Sequence, residues 1–251
     1  MGSFWSLDGL RLAGTLTLPP SGRPPRKAVV LAHSEGVDRD ENGLFPLIAD
    51  ALAAEGVASL RFDHRGHGDS AGTQEERTLT EHLNDLRAAV EHVRSETGAR
   101  RVSLVGNRFS GGLAAFYAAR RPTELDRLVL LTPQLNFKGD YIDQNRNWVA
   151  GRLATPLLAE VGHLEHAPGI RHGRAFLNEA FWVRPSFVFG EILPPTLIVH
   201  GTKDDRVPIE SSRAAVRRLK ADDVLVEVDG IGEENKDFVT EQVVDWITFG
   251  E

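Results

Sequence analysis

The stretch of this chain best suited to chemistry runs from Leu104 to Gly112, "LVGNRFSGG". An apolar run, "RRVSLVG", leads into Gly106, and a small-residue run, "SGGLAAFYAAR", follows it. This is the setting of a Gly-x-Ser-x-Gly elbow, a strained strand-to-helix turn that exposes its third residue so that a hydroxyl can attack a carbonyl. Here the third residue is Arg108, and Ser110 stands where the elbow has its second glycine. A guanidinium stays protonated and cannot attack. It can hold negative charge. At a helix N-terminus the free N–H groups and the helix dipole already favour anions, and a planar fork of donors suits a carboxylate, an enolate or a polarised carbonyl oxygen. Asn107 and Phe109 flank Arg108 and are candidate substrate-binding residues.

The elements that must position this turn are read from periodicity. "SFWSLDG" and "LRLAGTLTLPP" alternate around Asp8-Gly9, a hairpin signal. "AVVLAH", "VASLRFD", "RVSLVG", "LDRLVLLTP", "PTLIVHG" and "DVLVEVDG" read as strands. "LFPLIADALAAEG", "LTEHLNDLRAAVEHVRSETG", "GGLAAFYAARRP", "IESSRAAVRRLK" and "KDFVTEQVVDWITF" read as helices. Strands alternating with helices imply an α/β fold, a mostly parallel sheet of roughly eight strands with helices on both faces. Residues 134–193 break the rhythm, with no clear strand and many aromatics. They are expected to form a helical lid, inserted within a single domain of residues 1–251, over the carboxyl ends of the strands where open α/β sheets place ligands. Tyr141, Trp148 and Trp182, with Phe137, are expected to line or pack that lid; aromatics over a pocket suit a mostly apolar ligand, and packing alone accounts for them about as well.

Three further stretches carry a resemblance. "RFDHRGHGDSAG" (61–72), "PPTLIVHGTKDDRVPIESS" and "GRAFLNEAFWVRP", in this order and spacing, resemble the α/β-hydrolase superfamily, in particular small serine esterases of the feruloyl/cinnamoyl-esterase type. The likeness covers nearly the whole chain and implies an α/β-hydrolase fold. It aligns the family's nucleophilic serine with Arg108 and its acid with Asp204. The turn that carries the family's histidine reads "DGIGEEN", which puts Glu233 in the histidine's place, and none of the nine histidines follows the last strand. The oxyanion loop reads "HSEG", with Ser34 in place of a glycine and Glu35 in place of an apolar residue. A serine triad needs hydroxyl, base and acid; by this alignment only the acid remains.

The resemblance therefore brings Arg108 together with Glu35, Asp204 and Glu233, the four candidate catalytic residues, with Ser34 as a binding residue. Up to three carboxylates around one cation imply that at least one has a raised pKa and can serve as general acid or base. Glu35 is expected to point into the pocket within reach of Arg108. The plainer reading is a salt bridge that fills a dead triad. Ser110 and Ser34 are the remaining nucleophile candidates; Ser110 is expected to face the strand–helix contact, and His33 to be a structural hydrogen-bonding residue.

Other patterns lead elsewhere or nowhere. Asp63, His64 and His67 in "DHRGHG" fit a structural loop, and His163, His166 and His172 in "HLEHAPGIRH" have only loose ligand spacing, so no metal is expected. The glycines at 106, 111 and 112 lack the acid about twenty residues on that a ribose-binding fingerprint requires, and no cofactor is expected. The formal net charge of -7, with acids and bases intermixed, argues against nucleic acid. No signal sequence or membrane span is legible, and a cytoplasmic location is expected. The partner is then a small molecule, with a homodimer left open. Three functions fit. The first is a non-hydrolytic enzyme of cyclase, lyase or isomerase type, acting on a biosynthetic carbonyl or carboxylate compound. The others are a ligand-binding pseudoenzyme and an atypical esterase.

Overall fold

A computed structural model describes residues 2–144, 148–149, 152–153, 160–220, 223–229 and 233–249. The chain opens with the hairpin expected around Asp8-Gly9: β1 (Gly2–Trp5) pairs antiparallel with β2 (Arg11–Thr17), and Gly9 takes the positive φ of 80° that the turn needs. There follow β3 (Lys27–Ala32), α1 (Leu44–Ala54), β4 (Ala58–Phe62), α2 (Leu79–Thr97), β5 (Arg101–Asn107), α3 (Arg108–Arg120) and β6 (Leu128–Leu131). The short strands β7 (Trp148–Val149) and β8 (Arg152–Leu153), then β9 (His163–Ala167), β10 (Ile170–Gly173) and α4 (Arg174–Ala180), lie in the insertion. The chain closes with β11 (Thr196–Gly201), α5 (Glu210–Val216), β12 (Val224–Val228) and α6 (Lys236–Thr248).

Eight strands form one sheet in the order β1-β2-β4-β3-β5-β6-β11-β12. The pairings of β2 with β1 and β4 are antiparallel and all others parallel. Strands β3, β6 and β11 are buried at every position, as unbroken apolar runs require when both faces are covered. Val29, Leu31, Val105 and Val199 pack on one face against Phe45 and Ile48 of α1 and Val239 and Val243 of α6. Val30, Leu60, Leu104 and Leu130 pack on the other against Leu86 and Val90 of α2 and Leu113 and Ala118 of α3. Helix α2 begins with a reciprocal cap: Thr78 Oγ1 accepts from Glu81 N, and Glu81 Oε2 accepts from Thr78 N.

Two glycines let the elbow close. A Cβ on Gly106 would lie 2.4 Å from the carbonyl oxygen of Ser110, and one on Gly112 would lie 2.1 Å from that of Gln134. The first allows β5 to turn straight into α3; the second lets α3 lie against the start of the insertion. That insertion corrects the expectation of a helical, strand-free lid. Among its described residues, β9 and β10 form an antiparallel hairpin, and α4 follows directly from β10. The hairpin is two short polar–apolar alternations, His163–Ala167 and Ile170–Gly173, around Gly169 at φ 77°. A π-helical turn, Gly139–Asp143, precedes the hairpin, closed by Gln144 N donating to Gly139 O at 3.0 Å.

Candidate active site

The parallel strands end at one edge of the sheet, so the residues after β3, β5 and β11 converge there. Those residues are Ser34 and Glu35, Arg108, and Asp204. Arg108 has φ 46°, a left-handed conformation that a side chain with a Cβ seldom takes; the elbow is strained as the sequence implied. Arg108 Nη2 donates to Asp204 Oδ2 at 2.6 Å. Oδ1 of Asp204 accepts from the backbone N–H groups of Arg206 (2.9 Å) and Val207 (2.8 Å). Burial alone would raise the Asp204 carboxyl. The Val207 N–H and the Arg108 charge outweigh burial and hold the group below the usual carboxylate range. The pair is not sealed: the Asp204 side chain is 6% exposed, but that of Arg108 is 31% exposed.

Arg108 opens into a cavity of about 430 Å³. Ser34, Glu35, Gln134, Asp140 and His166 share its wall, with Ala167, Ile170 and Val207 as the apolar part. The walls come from both the sheet edge and the insertion, so the insertion does border the pocket.

Glu35 is the main correction to the charge scheme. It lines the cavity, as expected, but its carboxylate is held by residues other than Arg108. Oε1 takes Arg77 Nη2 at 2.6 Å and lies 3.7 Å from His172 Nε2, and Oε2 accepts the Tyr141 hydroxyl at 2.9 Å. Burial pushes its pKa up, but His172, Arg77 and Tyr141 outweigh that and bring it down to about 2. Glu35 is thus ionised throughout the neutral range and is no general acid. On the cavity wall the Asp140 carboxyl is the one pushed up by burial, to about 6.

The remaining predicted residues divide. Ser34 lines the cavity, but its Oγ donates to Glu41 Oε1 at 2.7 Å and its N–H is held by the same carboxylate. Asn107 is buried at the end of β5 and is not among the cavity-lining residues. Phe109 is 1% exposed and faces the core, against Phe137, Tyr141, Phe176 and His82; a ring one residue past the elbow tip turns away from the opening. Tyr141 is wholly buried and acts on Glu35 rather than lining the cavity. Trp182 is 84% exposed, just past the end of α4, and lines no part of the cavity. The side chains of Glu233 and Trp148 lie outside the described residues.

Ser110 faces the packed interior, as expected. Its Oγ donates to His33 O at 2.6 Å, so His64 Nε2, 2.8 Å away, must donate to it. A serine that receives a proton from its histidine neighbour is not activated for attack. His33 is a structural residue: Nδ1 contacts Ser34 O at 2.7 Å and Nε2 accepts from His64 N at 3.0 Å. Asp63 accepts from Arg39 and from Asp69 N, a loop role. Among the described residues His64, His82 and Asp85 bring possible ligand atoms within 4.8 Å of one another. Arg65 and Ser6 already occupy the Asp85 carboxylate, and a cation there would compete with a guanidinium.

Sequence reasoning missed Arg77, His172 and Asp140. Arg77 and His172 reach Glu35 from 42 and 137 residues away, and no local pattern announces such contacts. Asp140 had one signal, an acid beside Tyr141 in an aromatic insertion.

Residues 23–164, more than half of the chain, match the Hydrolase_4 family, described as serine aminopeptidase, S33. The chain belongs to that family. A monoacylglycerol lipase of Mycolicibacterium smegmatis is 28% identical to it, over 98% of this chain and 95% of the lipase. The structure of Est1E of Butyrivibrio proteoclasticus, solved with ferulic acid bound, superposes with a TM-score of 0.83 at 23% identity, covering 98% of this chain and 97% of its own. A monoacylglycerol lipase of Paleococcus ferrophilus superposes with a TM-score of 0.72 at 21% identity, covering 94% and 98%. The fold is therefore that of the α/β hydrolases, and the similar proteins include two named monoacylglycerol lipases.

Proposed function

We propose that this Hydrolase_4 member is a cofactor-independent enzyme that does not work through a serine nucleophile. In this reading it acts on a small carbonyl or carboxylate compound, with chemistry of the cyclase, lyase or isomerase type. Arg108 takes the nucleophile's place and stabilises negative charge on a substrate oxygen, and Asp204 orients it. The observation that carries the reading is Arg108 itself. It occupies the elbow at positive φ, is bonded to Asp204 and leaves about a third of its side chain open to the cavity. Strained backbone of this kind costs about 1–3 kcal/mol and collects at functional sites. A preorganised cation facing a developing oxyanion is the form of catalysis that usually contributes most. The Ser110 hydroxyl is committed to His33 O and the Ser34 hydroxyl to Glu41, which removes support from a relocated nucleophile.

Two measurements test this. A fluorophosphonate that esterifies activated serines should leave the intact mass unchanged; an adduct on Ser34 or Ser110 would restore the esterase reading. Small carboxylates should protect the wild-type protein against heat and should not protect Arg108→Met. Equal protection of both would make Arg108 an inert filler.

A further inference from the structure

Two carboxylates at the sheet edge are already bound within the protein, Glu35 by Arg77 and Tyr141, and Asp204 by Arg108 and two backbone N–H groups. Asp140 differs. It shares the cavity wall with Arg108, and among the described residues no hydrogen bond or ion pair holds its carboxylate. It lies in the π-helical turn, where its neighbour Tyr141 is buried in the core against Glu35 and Asp140 remains on the cavity wall. Single π-turns of this kind recur at functional sites.

We infer that Asp140 is the proton-carrying group of this cavity, and that the ligand is a small carboxylate taken up together with a proton. The ligand's anionic oxygens meet the Arg108 guanidinium, and one of them accepts a hydrogen bond from Asp140 in its acid form. The inference rests on Arg108 being an anion site. The proton comes from solvent, and no bond of the ligand is made or broken. Two carboxylates confined in one small cavity disfavour joint ionisation. Burial has already pushed Asp140 up to about 6, so its neutral form is within easy reach near neutral pH.

Other charged groups stand around it. Arg108 comes from α3, and Glu35, from the loop after β3, stays ionised. Asp205 and Arg206 come from the loop after β11. On Asp140's own turn, Lys138 pairs with Asp143 at 2.7 Å. His166, on β9, is the second group in the cavity wall that can change charge, and desolvation lowers it below its usual value.

The test is calorimetric titration with cinnamate from pH 5.5 to 8, in buffers of different ionisation enthalpy. Cinnamate stays ionised over this range, has no second titrating group, and carries an apolar body suited to Ile170 and Val207. Wild-type affinity should fall roughly tenfold for each pH unit above about 6, with proton uptake approaching one. Asp140→Asn should bind independently of pH, His166→Gln should keep the wild-type slope, and Arg108→Met should not bind. A slope that survives in Asp140→Asn, or disappears in His166→Gln, overturns the inference and leaves the anion site standing. No binding by the wild type, or undiminished binding by Arg108→Met, overturns the anion site and the inference with it.

Discussion

Replacing Arg108 by glycine and, separately, by alanine divides the strain of the elbow from its ion pair. Both changes delete the same guanidinium and the same 2.6 Å bond to Asp204. In both, Asp204 keeps its two backbone donors at 2.9 and 2.8 Å. Stranding a buried charge costs about 3–5 kcal/mol. With two donors retained and Arg108 partly exposed, we expect the lost pair to cost about 1–2 kcal/mol, nearer an ordinary charged hydrogen bond. The two variants then differ only in the backbone. A residue with a Cβ at the φ of 46° found here costs roughly 1–2 kcal/mol, and glycine avoids that cost. In an ordinary helix alanine is the more stable by about 0.5–1 kcal/mol; here the order should reverse, with Arg108→Gly above Arg108→Ala by about 1 kcal/mol. For a chain of this size that difference is about 2–4 °C in Tm, measured by calorimetry and checked against urea midpoints at unchanged m. Both variants should lose cinnamate binding. An alanine variant as stable as the glycine variant, or more so, would refute the strained elbow and with it the argument that strain at Arg108 is kept for function.

Further outcomes follow from the same contacts. The pKa of Glu35 is depressed from 4.5 to about 2 in the folded chain, so its contribution is complete above about 4.5 and is lost as pH falls toward 2. It amounts to about 3 kcal/mol, and acid titration of Glu35→Gln by circular dichroism should show a flatter slope through that window. At neutral pH the same variant leaves the buried Arg77 without its carboxylate and should lose about 3–5 kcal/mol in urea; a loss under 1 kcal/mol would mean that Arg77 does not depend on Glu35. Gly112→Ala should destabilise by about 1–3 kcal/mol through overpacking, since its Cβ would meet Gln134 O at 2.1 Å; thermal melts decide this. Arg108→Ser should not hydrolyse p-nitrophenyl esters above the wild-type rate, because a hydroxyl at the elbow still lacks a histidine after the last strand. Burst kinetics in that variant would show that a base exists elsewhere.

Local signals and long-range contacts account for what the sequence did and did not reveal. Strand β5, Gly106, Arg108 and α3 were legible because an apolar run, a glycine and a small-residue helix are neighbours in the chain, and their elbow depends on sterics within a few residues. The convergence of Glu35, Arg108 and Asp204 was legible through the order of the strands, since parallel strands end at one edge. The hairpin in the insertion was missed because its alternation is short and mostly polar, so aromatic content was read as helix. Phe109 was assigned to the ligand by its place beside Arg108, and Tyr141 and Trp182 by type, and neither says which way a ring points. Phe109 and Tyr141 fill the core, and Trp182 faces solvent.

Taken alone, the sequence determined the sheet, the elbow and the residue at its tip, because backbone preference and hydrophobic period act over short distances. Its resemblance to the α/β hydrolases aligned Arg108 with the position of the family's nucleophile. The charge state of the site was decided only by tertiary structure. Glu35 lost its role as a proton donor when Arg77, His172 and Tyr141 closed on it from three other segments. In the inference drawn above that role falls to Asp140, half-buried on the cavity wall, where burial pushes its carboxyl up to about 6. The pKa of a carboxyl depends on the charges and the loss of water within a few ångströms of it, and those neighbours are brought together by the fold from positions far apart in the chain.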